Sequence, residues 1–224
     1  SFVAEMVAEH GFIESELRLY PGLPTTTGQR ARKLLETFVA TGCTRGRTHV
    51  DIVKGHKAGH LEGVREALSS FGPALEHEIV AFPQHGLLRS DSLGALDEAL
   101  RHGATLLGGI DPVDMDGDRE RSLALTMELA VKRDVDIDYH LHEAGDTGLG
   151  SYRHLLGLVR QAGWQGRVTL SHAFFLRSLP PAQLEEVARE MAAEGIGVAS
   201  AATQVGSCPD LPFLERLMDI ILDH

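Results

Sequence analysis

Sulfur is scarce in this sequence. Two cysteines, Cys43 and Cys208, stand far apart in 224 residues with no CxxC or CxxH near either, which argues against a disulfide framework and a thiolate zinc site. They read as buried or spare thiols. Positive charge is short as well: 21 Lys and Arg face 32 Asp and Glu, for a formal net charge of −11. That balance repels phosphate backbones, no basic stripe offsets it, and nucleic acid is not expected as a partner. No apolar run approaches the roughly 20 residues of a membrane span. The opening SFVAEMVAEH lacks the basic start and long apolar centre of a secretory signal, so no membrane partner is expected and the cytoplasm is the expected address.

What is present is enough apolar material for a full core. With 43% hydrophobic residues, the length suits one large α/β domain spanning residues 1–224 better than two small ones. Phe12 to Tyr20 alternates in the manner of a strand, and from Gly28 the apolar residues Ala31, Leu34, Leu35, Phe38 and Val39 fall at helical spacing until Gly42. A repeating unit then begins. Strand-like segments at Arg47 to Ile52, Glu78 to Phe82, Thr105 to Ile110, Val135 to His140, Arg167 to His172 and Ile196 to Ala201 recur at about the size of a βα unit. Helical patterns follow them: Leu61, Val64 and Leu68; Leu93, Leu96 and Leu100; Leu123, Met127 and Ala130; Tyr152, Leu155 and Val159; Leu184, Val187 and Met191; and Leu214, Leu217 and Ile221.

Strict alternation predicts a parallel sheet, closed into a (βα)8 barrel or open and doubly wound. Polar residues separate the two. They collect at the C-terminal ends of the strands, in THVD, FPQ, HLHE and SHA, which is how a barrel builds its site. An open nucleotide-binding sheet needs a GxGxxG after its first strand, and Gly108-Gly109 does not supply one. The expected fold is therefore the TIM-type (βα)8 barrel.

The candidate chemistry centres on VDIDYHLHE, where His140 and His142 project to one face and Glu143 stands at the strand's end. His140 can ligate a divalent metal, and Glu143 can carry a proton between a metal-activated water and a leaving group. His172, in TLSHAF, ends the next strand at the same level; a lone core histidine is the competing reading. His49 and Asp51 of THVD alternate onto one face, as a hydrogen-bonded supporting pair or as metal ligands. In AFPQHG the proline stops the strand and sends Gln84 out at its end, where an amide can donate and accept at once toward a cyclic amide or amidine edge. The acidic run DMDGDRE, Asp114 to Glu120, lacks calcium-loop spacing and reads as a solvated turn. Arg45 and Arg47, beside THVD, read as holders of an anion or, in preference, as partners in surface salt bridges.

Five stretches together resemble a known family. RTHVD at Arg47 to Asp51, IVAFPQHGLL at Ile79 to Leu88, LLGGIDP at Leu106 to Pro112, DYHLHEAGD at Asp138 to Asp146 and GRVTLSHA at Gly166 to Ala173 are similar to successive strands of cytosine deaminase-type amidohydrolases. That branch includes N-isopropylammelide amidohydrolases, and the resemblance runs from Gly28 to Ala202. It implies a hydrolase with one divalent metal ion, Fe or Zn, that cleaves an exocyclic carbon–nitrogen bond of a small nitrogen heterocycle such as cytosine. In the implied scheme His140 holds the metal, Glu143 is the proton shuttle, His172 holds and polarises the attacking water, and Gln84 contacts the ring. His142 has no catalytic counterpart in that pattern and reads as a bystander.

The resemblance also implies features this sequence lacks. A metal-binding HxH pair belongs on the family's first strand, where GFIESELRLY places Glu16 and Arg18, and an arginine cannot ligate a metal. A metal-binding aspartate belongs at the end of the eighth strand, for which Asp223 is a poor candidate. The barrel is thus expected to be incomplete at its first and last strands. Two rivals follow: a divergent barrel that binds a small molecule without a competent metal site, and an unrelated barrel enzyme such as a lyase, whose activity would survive chelation. The expected partner is a small heterocyclic substrate, and the sequence is compatible with a homo-oligomer.

Overall fold

The computed structural model describes residues 22–52 and 59–199. Helices and strands alternate along it: α1 (Thr27–Ala40), β1 (Arg45–Asp51), α2 (Gly59–Ser69), β2 (Glu76–Phe82), α3 (Leu93–Arg101), β3 (Leu106–Ile110), α4 (Arg119–Arg133), β4 (Asp136–His140), α5 (Gly145–Ala162), β5 (Val168–Ser171), α6 (Pro181–Ala193) and β6 (Gly197–Ala199). The strands form one parallel sheet in the order β1-β2-β3-β4-β5-β6. A doubly wound sheet reverses its strand order at a switch point. This one never does, so the expected TIM-type architecture is the one found, as a half-barrel of six parallel strands among the described residues.

Local chemistry sets the helix ends. Thr26 caps α1 with its hydroxyl accepting from the Gln29 amide, while the Gln29 side chain returns to the Thr26 N–H. Asp118 caps α4 by accepting from the Arg121 amide, and α5 stops where Gly163 turns left-handed. α5 starts well before the apolar pattern at Tyr152, because its first turns are the small and polar GDTGLGS, which carry almost no periodic signal. The strand foreseen as Arg167 to His172 ends at Ser171, since His172 has φ +73° and cannot stay in an extended ladder. The alternating N-terminal segment, the final helix, Cys208 and Asp223 lie outside the described residues.

Strand alternation divides the sheet into two faces. Ile79, Ala81, Leu107, Ile137, Tyr139 and Leu170 turn outward into one core with Leu61, Leu96, Leu123, Met127, Leu155 and Leu184 of the helices. The inner face carries Arg47, His49, Val80, Phe82, Asp138, His140 and Ser171. β3 needs glycine at two points: a Cβ on Gly108 would meet the Phe82 ring at 2.7 Å, and one on Gly109 would meet Tyr139 ring carbons at 2.1 and 2.4 Å. Tyr139 is fully buried and has nowhere to retreat. Gly109→Ala is therefore expected to destabilise the chain by about 3 kcal/mol, the upper range of overpacking, read as a lowered urea midpoint.

Candidate functional site

The C-terminal ends of β1, β4 and β5 converge on a cluster of imidazoles. Nε2 of His140 lies 2.9 Å from Nε2 of His49, and Nδ1 of His140 lies 3.2 Å from Nε2 of His172. His140 therefore bridges its two neighbours through both ring nitrogens. His142 stacks on His172 with centroids 4.4 Å apart and planes within 23°. Phe82 closes the floor, its ring 4.5 Å from that of His140. Burial, reinforced by His49 and His172 alongside, pulls the His140 pKa down to about 3, so the imidazole is held neutral with a lone pair to offer.

Asp138 and Asp111 lie against this cluster, and Glu143 and Asp116 brace the loops around it. Asp138, two residues before His140 on the same strand face, is 1% exposed. Its Oδ2 accepts from Arg47 Nη1 at 2.7 Å and its Oδ1 from the Ser171 hydroxyl at 2.7 Å, with His49 Nε2 3.6 Å away. Burial alone would raise its pKa, but the nearby His49 and the hydrogen bonds from Ser171 and Arg47 outweigh that and hold the carboxyl well below its usual range. Arg47 is thus more than the surface-bridge residue its sequence suggested: it also pairs with Glu78 at 2.9 Å, yet its other arm reaches a buried partner 91 positions along the chain. Arg45 does form the exposed bridge expected of it, with Glu76.

Asp111 follows β3 directly with φ +31°. Its Oδ1 accepts from the amides of His142 and Glu143, and its Oδ2 lies 2.8 Å from His142 Nδ1. Glu143 in turn is 1% exposed, its Oε1 accepting from the Val113 and Asp114 amides and its Oε2 from the Ser151 hydroxyl. Asp116 takes the Leu88 and Arg89 amides and the Ser122 hydroxyl, so DMDGDRE is a bracket between two loops rather than a solvated turn. Asp111, His172 and Ala173 all occupy the left-handed region, strain that backbone ordinarily avoids outside sites where geometry matters.

Gln84 lines a cavity of about 400 Å³ with Thr48, His49, Asp51, His60 and Phe82. Of the four residues singled out from sequence, His140 and His172 are in contact, Gln84 shares its cavity with His49, and the Glu143 carboxylate is directed to the β3–α4 loop and Ser151. Asp138, Asp111 and Asp116 were missed. A signal existed for Asp111, the first polar residue past a strand end, and for Asp138, which shares a strand face with His140.

The nitrogen-rich donor set fits a borderline divalent cation such as zinc or iron. Two groups of three ligand atoms lie within 4.8 Å of one another: His140, His142 and His172, and His49, Asp138 and His140. Among the described residues no helix is long and apolar enough to cross a membrane.

Known proteins resemble this chain in sequence and fold. The chain is 35% identical over 189 residues to the uncharacterized protein YahJ of Escherichia coli (strain K12), covering 84% of this chain and 41% of that one. It is 38% identical over 151 residues to the N-isopropylammelide isopropyl amidohydrolase of Pseudomonas sp. (strain ADP), covering 66% and 37%. Its fold superposes on the N-isopropylammelide isopropylaminohydrolase of Burkholderia multivorans with TM-score 0.81 and 34% identity, over 84% of this chain and 48% of that one. With the 5-methylcytosine deaminase of Klebsiella pneumoniae the values are 0.69 and 26%, over 78% and 44%. The chain spans less than half the length of each of these proteins. Residues 8–219 match the Amidohydro_3 profile, and with that match the chain belongs to the amidohydrolase family.

Proposed function

We propose that this chain is the site-bearing part of a cytoplasmic, metal-dependent hydrolase that cleaves an exocyclic carbon–nitrogen bond on a small nitrogen heterocycle, a pyrimidine or a triazine. The observation that carries the reading is the position of His140, which meets His49 at 2.9 Å and His172 at 3.2 Å at the strand ends of an amidohydrolase half-barrel. His140 would hold one divalent ion, Fe or Zn. Such an ion polarises a water and the substrate, lowering the barrier to attack at a ring carbon. His172 holds the attacking water against the ring. Gln84, on the rim of the 400 Å³ cavity, reads the heterocycle by donating and accepting at its amide edge. Glu143 carries the proton to the ring nitrogen and then to the departing amine. For that role it must exchange a present partner, and the Ser151 hydroxyl, free to rotate, is easier to give up than two backbone amides.

A second reading, a barrel that binds a small molecule without turning it over, draws support from the same engagement of Glu143. One experiment separates the two. The chain is reconstituted with Fe(II) or Zn(II), its metal content is measured, and release of ammonia or amine from cytosine-like and aminotriazine substrates is followed with and without chelator. The hydrolase reading expects about one ion per chain, turnover abolished by chelation, and His140→Ala devoid of metal. A reconstituted chain that holds no ion, or turnover that survives chelation, sinks it.

A further inference from the structure

His142 has no part in the scheme above, yet its imidazole is held by a carboxylate. Asp111 grips it twice, at its backbone amide at 2.6 Å and at Nδ1 at 2.8 Å. A carboxylate against Nδ1 keeps the proton there and leaves the lone pair on Nε2, the second-sphere arrangement that prepares a histidine to ligate a metal. The ring lies flat against His172, and one nitrogen from each of His140, His142 and His172 falls within 4.8 Å of the others. The His140 to His172 nitrogen separation is 3.2 Å. Two nitrogens at a tetrahedral zinc with bonds of about 2.0–2.1 Å stand about 3.3 Å apart.

The rival group, His49, Asp138 and His140, is poorly placed to take a cation. Asp138 already neutralises Arg47 at 2.7 Å and accepts from Ser171, so an ion there would face a guanidinium across one carboxylate. The Nε2 of His140 is turned to His49, which leaves its Nδ1 on the side of His172.

We infer that His142, oriented by Asp111, is a ligand of the divalent ion in this chain beside His140, with His172 facing the same point. The inference rests on the metal-dependent reading above and departs from it in the ligand set. It is tested by titrating the metal-free full chain with Co(II), reading affinity and visible d–d absorption. His142→Ala is expected to weaken Co(II) at least 30-fold and to change the band shape. Asp111→Asn keeps an oxygen for the two amides but turns an NH2 toward Nδ1, moving the ring proton to Nε2, and is expected to weaken Co(II) about 10- to 100-fold. His49→Ala, which removes the partner of His140 Nε2, should weaken Co(II) less than His142→Ala does and leave the band shape unchanged.

Wild-type affinity and spectrum in His142→Ala, with binding lost in His140→Ala, overturns this inference alone. A larger loss from His49→Ala than from His142→Ala does the same, placing the ion in the rival group. A wild-type chain that takes no Co(II) overturns both this inference and the metal-dependent reading. If far-ultraviolet circular dichroism shows His142→Ala unfolded, Asp111→Asn decides, and unchanged affinity there overturns the proposal.

Discussion

Glu143→Gln is expected to lower turnover by about 10³-fold, within the usual range for a general acid–base group, while metal content stays at the wild-type level. The substitution is close to isosteric. Glutamine keeps an oxygen for the Val113 and Asp114 amides, and its NH2 takes the place of Oε2, so the Ser151 hydroxyl need only turn from donor to acceptor. The frame survives; what disappears is the carboxylate proposed to carry the proton. Ser151→Ala is the control. It removes one bond to the carboxylate and should cost about 1–2 kcal/mol of stability with a far smaller loss of turnover. Equal turnover in wild type and Glu143→Gln would refute the proton-carrying role and leave Glu143 as a clamp on the β3–α4 loop.

Arg47→Ala is the substitution expected to cost most in stability outside the core, about 3 kcal/mol by urea unfolding. Asp138 is 1% exposed, and without the guanidinium its charge stays buried with only Ser171 and the more distant His49 to offset it. The arginine side chain itself is 29% exposed, which places the cost at the low end for breaking a buried pair. Arg47→Ala combined with Asp138→Ala should lose less than the sum of the single losses, because the second change removes the stranded charge. A loss under about 1 kcal/mol for Arg47→Ala would mean the pair behaves as a surface bridge.

The same groups fix the sign of the metal-free chain's response to acid. Asp138 and His140 both have folded pKa values below their unfolded ones. At low pH the unfolded chain therefore binds more protons, and the stability these groups contribute is lost as pH falls. The His140 contribution declines from its ordinary value of 6.5 toward 3, and the Asp138 contribution follows below its ordinary 3.8. Arg47→Ala should flatten the acid limb most strongly at the lower end.

Periodicity made the architecture legible. Six strands were foreseen at a βα spacing, and the five complete within the described residues begin and end within two residues of their place, because each outward face is packed under helices and so written mostly in apolar residues. His140 and His172 were legible because imidazoles at neighbouring strand ends have few other uses. The carboxylates were not. Asp111 and Asp116 act on backbone amides about 30 residues away, Asp138 on an arginine 91 residues away, and no local pattern records a partner at that distance. His142 was set aside for want of a family counterpart, whereas the structure gives it two bonds to Asp111 and a stack on His172. Glu143 was read for its chemistry, and nothing nearby in sequence announced the amides of Val113 and Asp114.

The loops after β2, β3 and β4 are fastened to one another chiefly by carboxylates gripping main-chain N–H groups at residues 88, 89, 113, 114, 142 and 143. Nearly every amino acid supplies that donor; only proline does not. At residues 88, 89, 113 and 114 the side chains can therefore vary while the rim keeps its shape. In an evolving lineage that is a license for the rim to be rewritten residue by residue, while Asp111, Asp116 and Glu143 keep the three loops fastened beside the imidazoles.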